Sequence, residues 1–317
     1  MPIALGDKAA SMLLRTEMSV LRRGCGQRCS RSGGSRLNFF GNSPRVVLCL
    51  AGAVSCFSTV LNAGPQPTFI DYAEPKFLVG NIYAIGSGPK ECLFRSERRS
   101  TQAGTTVHAT CDYTYPNGSL AARDRIRYEA GRLVSFEEDE LQTGEKGAAQ
   151  IRPDPKAPGK WRIYFEYTIG QGSSARTTTA SEALEKDTLI DDMIPAFIVA
   201  HWDELRRGAA AKFRYIVLSR KETVGFKLTK ESETTRQGQP VVRIKMEPTS
   251  FIIAQLVEPL FFIVERAGQY RILEYTGRTT PMVKNGNKWK ELDAISTFDW
   301  KQDVARNSAG ENPPDHR

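Results

Sequence analysis

The chain has 317 residues, 40% of them apolar, 25% charged and 9% aromatic, with a formal net charge of +8. That length accommodates one or two domains with a sizeable core, and the composition excludes a wholly disordered, collagen-like or multi-span membrane protein. Residues 1–63 carry eight Lys or Arg against only Asp7 and Glu17, while the remaining 254 residues hold 36 basic and 34 acidic groups. The main body is therefore an ordinary surface that does not steer toward a phosphate backbone, and no nucleic-acid partner is expected.

The N-terminal segment reads as an export leader. Residues 18–45 are rich in Arg, Ser and Gly and run into an apolar block from Val46 to Phe57, followed by Leu61-Asn62-Ala63 and Gly64-Pro65. A basic flank, an apolar core and a small residue at the junction predict a secretory signal peptide cleaved after Ala63, and with it a periplasmic protein. Val46 to Leu61 counts 16 residues, short of the roughly 20 that a spanning helix needs. A retained membrane anchor is the competing reading, and lipidation at Cys56 a lesser one. The long basic flank makes Met18 an alternative start.

Four of the six cysteines, Cys25, Cys29, Cys49 and Cys56, fall in the leader, which leaves Cys92 and Cys111. The turn-like stretch Ser100 to Gly104 lies midway between them, so the pair is predicted to face across a hairpin and form a disulfide worth about 3 kcal/mol. The alternative is two buried thiols.

From Phe77 onward the period is that of strands. Pro116-Asn117-Gly118, Ala130-Gly131, Thr143-Gly144, Gln237-Gly238, Ala267-Gly268 and Asn285-Gly286-Asn287 each separate two runs of strand length, and such pairs supply the positive φ of tight hairpins. The fold class expected is mainly β: a long antiparallel meander forming a curved sheet or open barrel. Its domain spans 64–300, with meanders at about 77–180 and 210–300, and residues 301–317 read as a disordered tail.

One segment breaks the period. Between Asp192 and Gly208, residues Ile194, Phe197, Ile198, His201, Trp202 and Leu205 recur at helical spacing, opposite Val199, Asp203, Arg206 and Arg207. An amphipathic helix over about 192–207 is predicted, capped by Asp191 or Asp192 and ended by Gly208, with its apolar stripe on the inner face of the sheet. Phe251 to Val264 is apolar on both strand faces apart from Gln255 and Glu258. It reads as a buried strand, or as a short helix followed by a strand, or as the wall of an apolar cavity or a membrane-facing surface; Pro259 excludes an uninterrupted central strand.

No HExxH, GxSxG, GxGxxG, Walker A or CxxC pattern occurs, so the common hydrolase, dinucleotide, phosphate-loop and zinc signatures are missing. No catalytic residue, metal site or cofactor is assigned. Glu137-Glu138-Asp139-Glu140 invites a calcium reading, but consecutive acids on a strand point to alternate faces and read as a solvated edge. Asp187, Asp191 and Asp192 offer a cation site, with helix capping the simpler account of the last two. His201, central in the apolar stripe, reads either as a ligand contact or general base, or as a core histidine bonded to a carbonyl or carboxylate.

Leu93-Phe94-Arg95, Tyr115-Pro116-Asn117-Gly118, His201-Trp202-Asp203-Glu204-Leu205 with Gly208, Phe213-Arg214-Tyr215, Glu247-Pro248 and Tyr275-Thr276-Gly277 together resemble a family of exported bacterial β-rich proteins known only as a domain of unknown function. The resemblance covers about residues 79–300. It implies a build similar to the half-barrels of the lipoprotein carriers LolA and LolB, which hold acyl chains between a curved sheet and several covering helices. Here a single helix is predicted.

The function expected is a non-enzymatic periplasmic protein that binds a lipid or other apolar ligand between sheet and helix, through Phe197, His201, Trp202 and Leu205. A second reading is an envelope protein interaction module with a fully packed barrel and no cavity above roughly 300 Å³. A third is a hydrolase with dispersed catalytic residues around His201 and Asp203.

Overall fold

The structure, a computed structural model, describes residues 76–86, 91–255 and 258–300. The chain divides after Val60 into two units, and all described residues belong to the second. The leader with its apolar block and the tail at 301–317 lie outside the described residues.

Fifteen strands form one sheet. The first eight are β1 (Phe77–Ala84), β2 (Cys92–Ala103), β3 (Thr106–Thr114), β4 (Leu120–Glu129), β5 (Arg132–Glu140), β6 (Glu145–Pro153), β7 (Trp161–Ile169) and β8 (Arg176–Ala183). After the short β9 (Thr188–Leu189) and the helical segment come β10 (Ala211–Val217), β11 (Glu222–Arg236), β12 (Gln239–Pro248), β13 (Leu260–Glu265), β14 (Ile272–Asn285) and β15 (Lys288–Asp299). Each meander runs in sequence order, and β1 pairs antiparallel with β15, joining the two into a single sheet from β8 to β9. All neighbours are antiparallel except β9 and β10. The predicted turns all fall between strands; Ala130-Gly131 and Gln237-Gly238 have both residues at positive φ, the two-residue hairpin geometry that suits strand twist.

The sheet is curved and does not close through a backbone ladder. A side chain links the end strand β8 to β11, near the other end: Glu182 of β8 accepts the Thr223 N–H of β11 at 2.9 Å. On the β6 side, Gly147 leaves room for Leu218, in the turn after β10; a Cβ at Gly147 would lie 2.7 Å from the Leu218 Cβ.

One core fills the interior, built from β3–β7, β10–β14 and the helical segment. A smaller cluster of Ile82, Phe94, Ala121, Leu292 and Ala294 occupies another part of the sheet. The predicted helix is present in pieces: a 3-10 turn at Asp191–Met193, an α-helix at Ile194–Ala200, a break at His201 and a second α-helix at Trp202–Arg206. Gly208 ends it with φ +83. Neither Asp191 nor Asp192 caps it through its side chain, because both carboxylates are turned to other partners described below.

Two expectations are corrected. Cys92 and Cys111 are free thiols. Strand β2 continues to Ala103, so Cys111 stands opposite Arg98, and Cys92 is six residues further along, on the order of 20 Å at strand rise. Glu137 to Glu140 do not lie on a sheet edge: β5 sits between β4 and β6, with Asp139 bound to Arg125 on the outer face and Glu138 on the inner face. Of the readings open for the apolar stretch from Phe251, the structure follows the short helix and then a strand, at Phe251–Ala254 and β13, with Phe251 left 76% exposed.

Candidate functional site

Register determines what meets on the inner face. On β4, Ala122, Asp124, Ile126 and Tyr128 are buried while Arg125 and Arg127 are exposed, so Asp124 occupies a core-facing position between alanine and isoleucine. Reading across the ladders, Arg98, Cys111, Asp124, Glu138, Gly147 and Tyr167 stand side by side on β2 through β7. The neighbouring row, Ala109, Ile126, Phe136, Ala149 and Phe165, is entirely apolar. A polar band thus crosses an otherwise apolar wall.

The first turn of the helical segment sits over this band. Asp192 makes a two-pronged ion pair with Arg98, through Nε to Oδ1 and Nη2 to Oδ2, the latter at 3.0 Å. The Tyr128 hydroxyl donates to Asp192 Oδ2 at 2.9 Å. Both partners are nearly buried, with side chains 10% and 8% exposed, so their charges are matched where solvent is scarce. This contact, rather than a cap, fixes where the helix begins over the sheet.

Asp124 and Asp191 have no such cation. Asp124 is buried, and its Oδ2 accepts from the Tyr113 hydroxyl at 3.1 Å. Its Oδ1 is buried with no hydrogen-bond partner among the described residues. Burial, then the charges of Glu138 and Asp191, push the Asp124 carboxyl well above the usual carboxylate range. The Asp191 side chain bonds Tyr215. Glu138 is pushed up to about 8, chiefly by burial and then by Glu140 and Asp191. Glu140 is pushed up to about 7 by burial and Glu145. The Cys111 thiol is raised by burial and by Asp124, the opposite of an activated nucleophile.

A cavity of about 210 Å³ lies here. Ile82, Ile126, Phe136, Phe262, Ile272 and Phe298 supply apolar wall, Arg98, Asp124, Asp191 and Asp192 the polar side, and Trp300 part of the rim. Trp300 is held by its indole N–H, which donates to the Ile272 carbonyl at 2.8 Å. Asp191 lines the cavity yet stays exposed, so the space is open to solvent. Among the described residues no three His, Cys, Asp or Glu converge as metal ligands.

The helical segment contributes to this wall through residues between Ile190 and Ala196, of which Ile194 alone belongs to the apolar stripe read from sequence. Phe197 is 4% exposed and packs on Phe213 at 5.3 Å between ring centroids. Trp202 packs on Tyr270 with centroids 4.6 Å apart and rings tilted by 39°, and Leu205 is fully buried. His201 lies at the helix break against Phe197, with Nδ1 2.9 Å from the Glu204 carboxylate, the partner expected of a structural histidine. Phe197, Trp202 and Leu205 belong to the core, His201 sits beside it with its side chain 29% exposed, and none of the four lines the cavity. Asp187, at positive φ before β9, lines no part of it either. Asp124 goes unmarked in the sequence and Glu138 reads there only as part of an acidic run, yet both carry a signal: each is an acid on the apolar face of an alternating strand, beside Ile126 and Phe136.

No known protein family matches the chain by sequence profile, and no curated protein matches it. Among solved structures it is similar to a crystal structure of a beta-barrel-like protein of the domain of unknown function DUF1849 from Brucella abortus. That likeness has 7% identity and a TM-score of 0.31, covering 70% of this chain and 95% of the other. Among the described residues no helix is long and apolar enough to cross a membrane.

Proposed function

We propose that the protein is a non-enzymatic binding module that holds a small apolar or amphipathic ligand in the cavity between the sheet and the first helical turn. The observation that carries this reading is the cavity itself: about 210 Å³ of solvent-open space with an apolar wall and a polar side, left within a packed interior. Apolar cavities of roughly 150 Å³ take benzene, and sites for drug-sized ligands start at about 300 Å³. The occupant is accordingly a single ring, a short chain, or one end of a longer lipid. The basic leader and apolar block read from the sequence support export to the periplasm.

The test is native mass spectrometry of the purified full chain, together with titration of tryptophan emission by hexanol and by a fluorescent fatty acid. The Trp300 component is expected to shift, and Ala196→Phe, which fills the cavity, is expected to abolish the shift. A chain that comes without ligand and responds to neither probe overturns the reading.

A second reading, a protein interaction module, is favoured by one observation. Strand β8 pairs only with β7, and its residues are exposed apart from the half-buried Glu182, an open edge that a partner strand can extend. Thr179→Pro is the variant that would remove such pairing while sparing the cavity.

A further inference from the structure

We infer that the polar side of the cavity recognises a cationic head group, an organic ammonium carried on an apolar body, with Asp124 and Asp191 as its acceptors. This rests on the binding reading above and names the ligand class for the same site.

Three observations lead to it. First, Asp124 is 7% exposed, lines the cavity, and keeps a buried Oδ1 with no donor. A buried acceptor without a partner is costly, so such atoms mark where a donor belongs. Second, the charge on the wall is unbalanced. Arg98 is committed to Asp192, and Arg278, although it lines the cavity, is bound to Asp293 and Glu291. No Lys or Arg forms a salt bridge with Asp124, Asp191 or Glu138 among the described residues. Third, the acids face one another: Asp124 stands in register with Glu138, and Asp191 acts on both. A seated cation supplies the missing donor and the missing charge together, whereas a carboxylate or phosphate head would add to the repulsion. The aromatic rings of Phe136, Phe298, Tyr275 and Trp300 on the same wall suit an apolar body and tolerate a neighbouring cation.

The experiment titrates the full chain with hexylammonium, hexanoate and hexanol, followed by calorimetry and tryptophan emission. Hexylammonium is expected to bind between about 10-fold and about 100-fold more tightly than hexanoate, the range for a charged hydrogen bond. Asp124→Asn, nearly isosteric, and Asp191→Asn, at an exposed side chain, are each expected to weaken hexylammonium about tenfold and leave hexanol unchanged. Urea midpoints show that both variants are folded. If hexanol binds but hexanoate equals or exceeds hexylammonium, or if neither variant discriminates, the head-group inference is overturned and the cavity reading stands. If none of the three binds, both fall.

Discussion

Asp124 and Glu138 stand directly opposite one another on the inner faces of β4 and β5, two acids paired where the adjacent row pairs Ile126 with Phe136. Cross-strand partners of like charge destabilise a sheet, and here both carboxyls are raised by burial and by their acidic neighbours. For a carboxyl whose pKa is higher folded than unfolded, the folded state binds more protons between the two values, so stability falls as pH rises across that window. For Glu138 the window runs from 4.5 to about 8. Glu138→Gln should match the parent chain at pH 4 and exceed it at pH 8, by on the order of 2 kcal/mol. Urea denaturation at the two pH values measures this, and equal differences at both would count against it.

Removing the Asp192 carboxylate, by contrast, should destabilise the fold. That carboxylate is matched to Arg98 and to the Tyr128 hydroxyl, so Asp192→Ala leaves the guanidinium buried without its partner. A loss of about 3 to 5 kcal/mol is expected, read as a lower denaturant midpoint. Arg98→Lys in the parent chain should keep only part of the pair's contribution, because an ammonium cannot reproduce the two-pronged geometry.

Cys92 and Cys111 should both carry label when the full chain is alkylated under denaturing, non-reducing conditions and mapped by mass spectrometry. In the folded protein Cys111 should react slowly, since burial and Asp124 keep it as a thiol. Recovery of a Cys92–Cys111 linked peptide would contradict the register of β2 and β3.

Phe197→Ala should cost roughly 3 to 5 kcal/mol, the price of a cavity in a packed core. It should leave hexanol titration of the Trp300 signal unchanged, because Phe197 lies off the cavity wall. His201→Ala should cost about 1 kcal/mol or less, since its partner Glu204 is half exposed at 50% and remains solvated.

Gly147→Ala should destabilise by about 1 to 3 kcal/mol. The new Cβ would lie 2.7 Å from the Leu218 Cβ, forcing apart the seam between β6 and the turn after β10. Glycine in a strand interior otherwise weakens it, so a gain in thermal stability here would show that the seam is looser than described.

The fold was legible from sequence where the signal is local. Hairpin turns such as Ala130-Gly131 need positive φ, alternation on β4 and β10 needs only period two, and Gly208 ends a helix by its own backbone freedom. What sequence could not determine was register. The hairpin joining β2 and β3 was placed a few residues too early, because strand-forming and turn-forming residues overlap in Ser100 to Gly104, and that shift moved Cys92 away from Cys111. The helical stripe of Phe197, Trp202 and Leu205 was correctly read as apolar. An apolar stripe, however, is the same whether it meets a ligand or a sheet, and only packing against Phe213 and Tyr270 placed it in the core. The candidate site depends on residues brought together from β2 to β5, β14, β15 with Trp300 after it, and the first helical turn. Arg98 and Asp192 are 94 residues apart, and no local pattern encodes their pairing. Once they pair, Asp124 is left as the unmatched acid, a property that belongs to the assembled wall rather than to any segment of it.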